Sequence, residues 1–513
     1  MYPPAEWLLE NAAFLIHPGQ GIESGALAIG GGRVLATGEE ARLTVQPQTA
    51  RVDLGGRFAQ PGFLDAHTHL PEYGIWLSFP DLSDAGSLTE VLERTADERD
   101  RTSRGDWVMG RSWDESGWAE RRMPARADLD RACPDHPAFL LRADMHMGVV
   151  NTAGLERLGL PPEDHPDGHL VEGPFFTAYE SLRPGPERRR AGLRTAVAAC
   201  HAEGVTAVHS TLSIGDFRLL QAAGDAGELG VGVTGYVRAQ GLDALEVLGL
   251  GTGFGDEELR LGGLKLFLDG SVGARSAAFE TDYADVPGQR GDLLYSREAL
   301  ETLLARCRDA ALQPALHCIG DRAVGTALEA LAGVGFPPGL RPRLEHCEFL
   351  GEGDLDRMVG QGAVASCQPN FLGQWGGPGR LYEQRLGRAR SRSGNPYRRL
   401  GDAGAALAFG SDHMPFGPRY GLHWAVNAPH AAQRLEPAEA LAAYTRGAAF
   451  AGFEETWRGT LEPGMRADVA VLSADPRVHP DRITELKVDL TMAGGRVMHD
   501  PAGLAGAPRV AAP

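Results

Sequence analysis

Lysine is nearly absent from this chain: of its 50 Lys and Arg residues, only Lys265 and Lys487 are lysines. A positive excess is absent too. The net charge of −18 excludes the basic surface that nucleic acids and anionic membranes require. No apolar run approaches the roughly 18 residues of a membrane-spanning helix. Residues 1–18 lack the basic segment and apolar core of a secretory leader. The six cysteines (Cys133, Cys200, Cys307, Cys318, Cys347 and Cys367) include no CxxC pair, so they read as free thiols in the core of a cytoplasmic protein.

What is present is a repeating strand–helix rhythm. Strand-like runs lie at Phe63–Leu70, Val205–Thr211, Val231–Arg238, Leu259–Leu268, Pro314–Ile319, Arg343–Phe349, Ala363–Gln368 and Ala406–Gly410, with helical patterns between most of them. Eight such strands predict an α/β fold, a (β/α)8 TIM barrel, over residues 59–457. The first two strands are separated by far more chain than one crossover helix needs. Residues 71–190 are therefore expected to form a substrate-site subdomain inserted after the first strand. Short alternating strands in residues 1–58 and 458–500 predict a small composite β-sandwich domain built from both ends of the chain.

The chemistry-bearing residues fall at the C-terminal ends of these runs. His67 and His69, in Phe63-Leu-Asp-Ala-His67-Thr-His69, lie two apart on a strand and face one side, a spacing that suits chelation of one ion. Lys265 sits inside an apolar strand, where an unpaired ammonium is costly. It reads either as a metal-site group or as a salt bridge to Asp269 or Glu345. His317 and His346 each close an apolar run, and Asp412 follows Gly410-Ser411. Singly, each of these has an ordinary structural explanation. Together, six candidate ligands (His67, His69, Lys265, His317, His346 and Asp412) converge on the face where barrel enzymes place their sites.

These motifs resemble the amidohydrolase superfamily. Its YtcJ-like branch, which includes N-substituted formamide deformylase, is further marked by Ser112-Trp-Asp-Glu-Ser-Gly-Trp118, Lys265-Leu-Phe-Leu-Asp-Gly-Ser271 and His317-Cys-Ile-Gly-Asp-Arg-Ala323. Arg111 and the segment His413-Met-Pro415 depart from the usual pattern. The resemblance implies two divalent ions, zinc by preference, with Lys265 N-carboxylated between them. His67, His69 and Asp412 then serve one ion, and His317 and His346 the other. It implies hydrolysis of a C–N bond, of amide or N-substituted formamide type, by metal-activated hydroxide, with Asp412 as the catalytic proton carrier. Two charges of like sign beside an unmodified ammonium would be repulsive, which agrees with carboxylation.

The expected partner is a small-molecule substrate; a homo-oligomer is compatible with all of this. Trp113, Asp114, Asp144 and His146 are candidate substrate-binding residues. For Asp144 and His146 a buried Arg142–Asp144 pair with a satisfied imidazole is an equal alternative, and for Trp113 so is plain packing. The same site could instead serve an ester, a lactone or a ring deamination. A non-catalytic barrel protein should have lost ligands, and this chain keeps all six.

Overall fold

The computed structural model describes residues 4–182 and 184–506. Eight parallel strands form one sheet in chain order: β1 (Phe63–Thr68), β2 (Val205–Leu212), β3 (Gly232–Arg238), β4 (Leu259–Phe267), β5 (Gln313–Cys318), β6 (Arg343–His346), β7 (Val364–Cys367) and β8 (Ala406–Phe409). Every residue of β1, β2 and β5 is buried. That follows from a sheet covered by helices outside and filled by side chains inside. The result is a nearly closed TIM barrel, with all eight strands where the sequence places them.

The seam between β8 and β1 is joined by particular groups. The Asp412 amide donates to the His67 carbonyl at 2.8 Å. The Asp65 carboxyl accepts from both the amide and the hydroxyl of Ser411. Gly410 is required here, because a Cβ would sit 2.2 Å from the His67 nitrogen.

The two chain ends meet in one continuous seven-stranded sheet. Its pivot is Ala50–Pro61, which pairs parallel with Trp7–Phe14 and antiparallel with Val469–Leu472. The first half of this strand alternates in burial and its last four residues are all buried, so one end faces solvent and the other enters the core. The sheet encloses an apolar core that includes Leu27, Ile29, Val52, Leu54, Val469 and Leu490.

Between β1 and β2 the chain builds a four-stranded sheet from Val108–Trp113, Ala138–Arg142, Met147–Val150 and His169–Val171. The helix Leu70–Trp76, immediately after His69, crosses the helix Pro186–Ala202 at Gly74 and Gly192. A Cβ at Gly74 would lie 2.3 Å from the Gly192 backbone, so only glycine permits this approach. The crossing pins the chain that leaves His69. Among the described residues, no helix is long and apolar enough to cross a membrane.

Candidate metal centre

The strand ends bring all six predicted ligands to the lining of one cavity at the C-terminal mouth of the barrel. His69 Nε2 is 3.3 Å and His67 Nε2 3.8 Å from Asp412 Oδ1. Lys265 Nζ is 3.4 Å from His67 Nε2. The His346 ring lies 4.9 Å from the His67 ring and 4.5 Å from the His317 ring, centre to centre. Ligand atoms of His67, His346 and Asp412 all fall within 4.8 Å of one another. Two of these residues hold left-handed backbone conformations, His346 at φ 71° and Asp412 at φ 49°. For residues with a Cβ, such strain persists only where surrounding structure enforces it, and it clusters at functional sites.

The outer nitrogens of the histidines show which atom each one turns inward. His67 Nδ1 meets Glu345 Oε2 at 2.5 Å, His69 Nδ1 meets Glu72 Oε2 at 3.1 Å, and His346 Nδ1 meets Gln368 Oε1 at 2.7 Å. The Gln368 amide is oriented in turn by donating to the Ser366 carbonyl at 3.2 Å. All three therefore present Nε2 to the cavity. His317 is reversed: its Nε2 donates to the Gly270 carbonyl at 3.2 Å, which leaves Nδ1 for the site. Each imidazole thus has one nitrogen held by an acceptor and the other with a lone pair to give, as metal-ligating histidines do.

The electrostatics suit a cation. Asp412 Oδ1 is buried and accepts no well-formed hydrogen bond. A buried carboxylate oxygen without a proper donor, beside imidazole nitrogens, fits a bound cation. Burial alone would raise the Asp412 carboxyl, but His67 and His69 hold it well below its ordinary range. Burial, then the neighbouring rings, keep His317 and His346 far below the ordinary imidazole value, so both are neutral and able to ligate. Burial works the same way on His69, yet Asp412 and Glu72 raise it above its usual value. Burial lowers Lys265 to about 8, against the pull of Glu345 and Asp412. Near neutral pH a usable fraction is then a free amine, the form that reacts with CO₂. Among the described residues Lys265 makes no ion pair within 4 Å: Asp269 accepts from the amides of Ala278, Ile319 and Gly320, and the Glu345 oxygens are engaged by Arg343 and His67.

The insertion forms the cavity roof. His146 stands over the site, its ring 5.3 Å from that of His317, and its Nδ1 lies 3.1 Å from Glu172. Burial opposes the charged form of His146, but the Glu172 carboxylate raises it to about 9. Asp144 lines the same cavity with both oxygens engaged, one by Arg142 and Ser271 at 2.8 Å and the other by the His146 amide at 3.3 Å. The Arg142–Asp144 pair is thus real, and it braces the loop that carries His146. A second, small cavity, walled by Phe371, Trp375, Leu381 and Tyr382, meets the first at His146, His317, His346 and Asp412.

Two expected substrate contacts fall elsewhere. Trp113 reaches neither cavity. Its indole is wholly buried in the insertion's own core and donates to the Leu140 carbonyl at 3.0 Å, because its strand turns that face inward. Asp114 lines neither cavity; it accepts from Trp375 Nε1 at 3.0 Å and so holds a wall of the second. His209 points down the barrel, between Arg343 and Glu454. Sequence reasoning overlooked Glu72, Glu172 and Gln368. Gln368 ends a strand candidate, which was a usable signal; Glu172 carried none.

Residues 50–499 match the profile of the Amidohydrolase family. The chain belongs to this family. It is 28% identical to the putative amidohydrolase YtcJ of Bacillus subtilis, over 94% of this chain and 97% of that protein. It is 26% identical to N-substituted formamide deformylase of Arthrobacter pascens, over 93% and 95%. An uncharacterized metal-dependent hydrolase from Pyrococcus furiosus superposes with a TM-score of 0.75 at 29% identity, covering 92% of this chain and 99% of that one. Family membership makes this a metal-dependent amidohydrolase-type hydrolase.

Proposed function

We propose that the chain hydrolyses the C–N bond of an amide or N-substituted formamide at a binuclear zinc centre. His67, His69 and Asp412 are assigned to one ion, His317 and His346 to the other, and Lys265, N-carboxylated, to both. The observation that carries this reading is the inward set of nitrogens around Asp412 Oδ1, beside a buried lysine with no ion-pair partner among the described residues. Bound divalent ions supply carbonyl polarisation and a water acidic enough to ionise near neutrality.

The chain's own residues supply the rest. Asp412 takes a proton on its carboxylate and returns it to the leaving nitrogen. His146, cationic and fixed by Glu172 through Nδ1, offers its other N–H to the substrate's carbonyl oxygen as charge develops there. The aromatic wall at Phe371, Trp375 and Tyr382 excludes water beside the scissile bond. Similarity to N-substituted formamide deformylase supports the choice of bond.

The test is elemental analysis after gentle purification, joined to a screen of amides and N-substituted formamides, with esters and lactones alongside. The expected result is more than one equivalent of zinc and amide turnover that chelation removes. Undiminished turnover by metal-free protein would refute the proposal.

A further inference from the structure

The barrel interior below the site is not filled with apolar side chains alone. Arg343 is 1% exposed, and its guanidinium is spent on five acceptor residues. Nε donates to Glu345 Oε1 at 2.7 Å. Nη1 donates to His209 Nδ1 at 2.7 Å and Tyr236 Oη at 2.9 Å. Nη2 donates to the Ala66 carbonyl, to Ser366 Oγ at 3.0 Å and, more weakly at 3.4 Å, to Glu345 Oε2. The column continues downward, with His209 Nε2 3.0 Å from Glu454 Oε1 and Arg458 Nη1 donating to Glu454 Oε2 at 2.7 Å. A guanidinium with every N–H committed cannot turn. It therefore dictates which atoms its neighbours present.

We propose that Glu345, clamped by Arg343, is the positioning residue that keeps the His67 proton on Nδ1 and so leaves the Nε2 lone pair for the metal site. Arg343 can only donate, so Glu345 Oε1 must accept. The other oxygen, which Arg343 Nη2 also reaches at 3.4 Å, faces His67 Nδ1 at 2.5 Å, and a carboxylate there can only accept as well. The imidazole proton is forced outward, and Nε2 faces Lys265 and Asp412 with a free pair. Glu345 itself reaches no substrate; it acts through His67. The inference rests on the metal-centre reading above.

The geometry predicts an unusual consequence of Glu345→Gln. Arg343 Nε demands an oxygen, so the amide must turn its NH₂ toward His67. That group donates to Nδ1, moves the imidazole proton to Nε2 and blocks the ligating pair. An isosteric change should thus behave worse than a shorter carboxylate. The test measures Zn²⁺ affinity of the full-length apo protein by chelator competition, together with its apo Tm, for wild type, Glu345→Gln and Glu345→Asp. Glu345→Gln is expected to weaken Zn²⁺ binding by roughly 10- to 100-fold, beyond what any fall in apo Tm accounts for, and Glu345→Asp to lose less. Wild-type affinity in Glu345→Gln, equal losses in both variants, or a loss that follows a fall in apo Tm would overturn the assignment. Failure of wild type itself to bind Zn²⁺ would instead sink the metal-centre reading.

Discussion

Asp65 and Ser411, 346 residues apart, fasten the first barrel strand to the last. One carboxyl oxygen of Asp65 accepts from the amides of His67 and Ser411, and the other accepts the Ser411 hydroxyl. The contact fixes the spacing between His67 and the next residue, Asp412. Ser411→Ala should lower stability by about 1–2 kcal/mol, the usual worth of a buried hydrogen bond. The loss would be read as a lower urea midpoint at unchanged m-value, with a fall in kcat. An unchanged midpoint would mean that the backbone alone closes the seam.

Lys265→Arg and Lys265→Ala should both abolish turnover. Arginine stays charged and cannot be carboxylated, and alanine leaves no bridge. Short carboxylic acids added to Lys265→Ala should restore part of the activity, because an anion can fill the space the side chain vacates. Wild-type turnover in Lys265→Arg would reduce Lys265 to a buried cation.

Much of this was legible in the chain. The eight strands are apolar runs that close near a glycine or a polar residue, and burial on both faces preserves that pattern against local propensity. The ligands could be read because barrel geometry places strand ends on one face, so position in the chain implies position in space. Side chains acting one step back were harder to find. Glu345 holds His67 from 278 residues away, and Glu454 holds His209 from 245 away. No local period encodes such pairs. Trp113 shows the opposite difficulty: its motif marks the branch, but the strand's twist decides whether the indole meets substrate or packs inward.

The foot of the interior column should mark the acid limb of stability. Burial alone would raise Glu454, yet Arg458 and His209 hold it down at about 2, against an ordinary value of 4.5. Between those values the unfolded chain binds a proton that the folded chain does not. Stability is therefore full above about pH 4.5 and is lost as pH falls toward 2. Glu454→Gln should flatten this limb by about one proton's worth of slope in urea unfolding between pH 5 and 3. An identical slope would place the acid sensitivity elsewhere.

Asp412→Asn should leave the fold and most of the metal in place, yet lower kcat by roughly 10²-fold or more. The amide keeps an oxygen where Oδ1 now lies near His67 and His69. It cannot accept a proton or pass one to the leaving nitrogen. Because the lost step lies in the chemistry and not in substrate capture, the deficit should fall on kcat with KM little changed. The basic group also shapes the pH profile: wild type should lose kcat as acid protonates Asp412, and the Asn variant should lack that limb. Near-normal kcat in the variant would remove Asp412 from proton transfer and turn attention to His146, which shares the cavity.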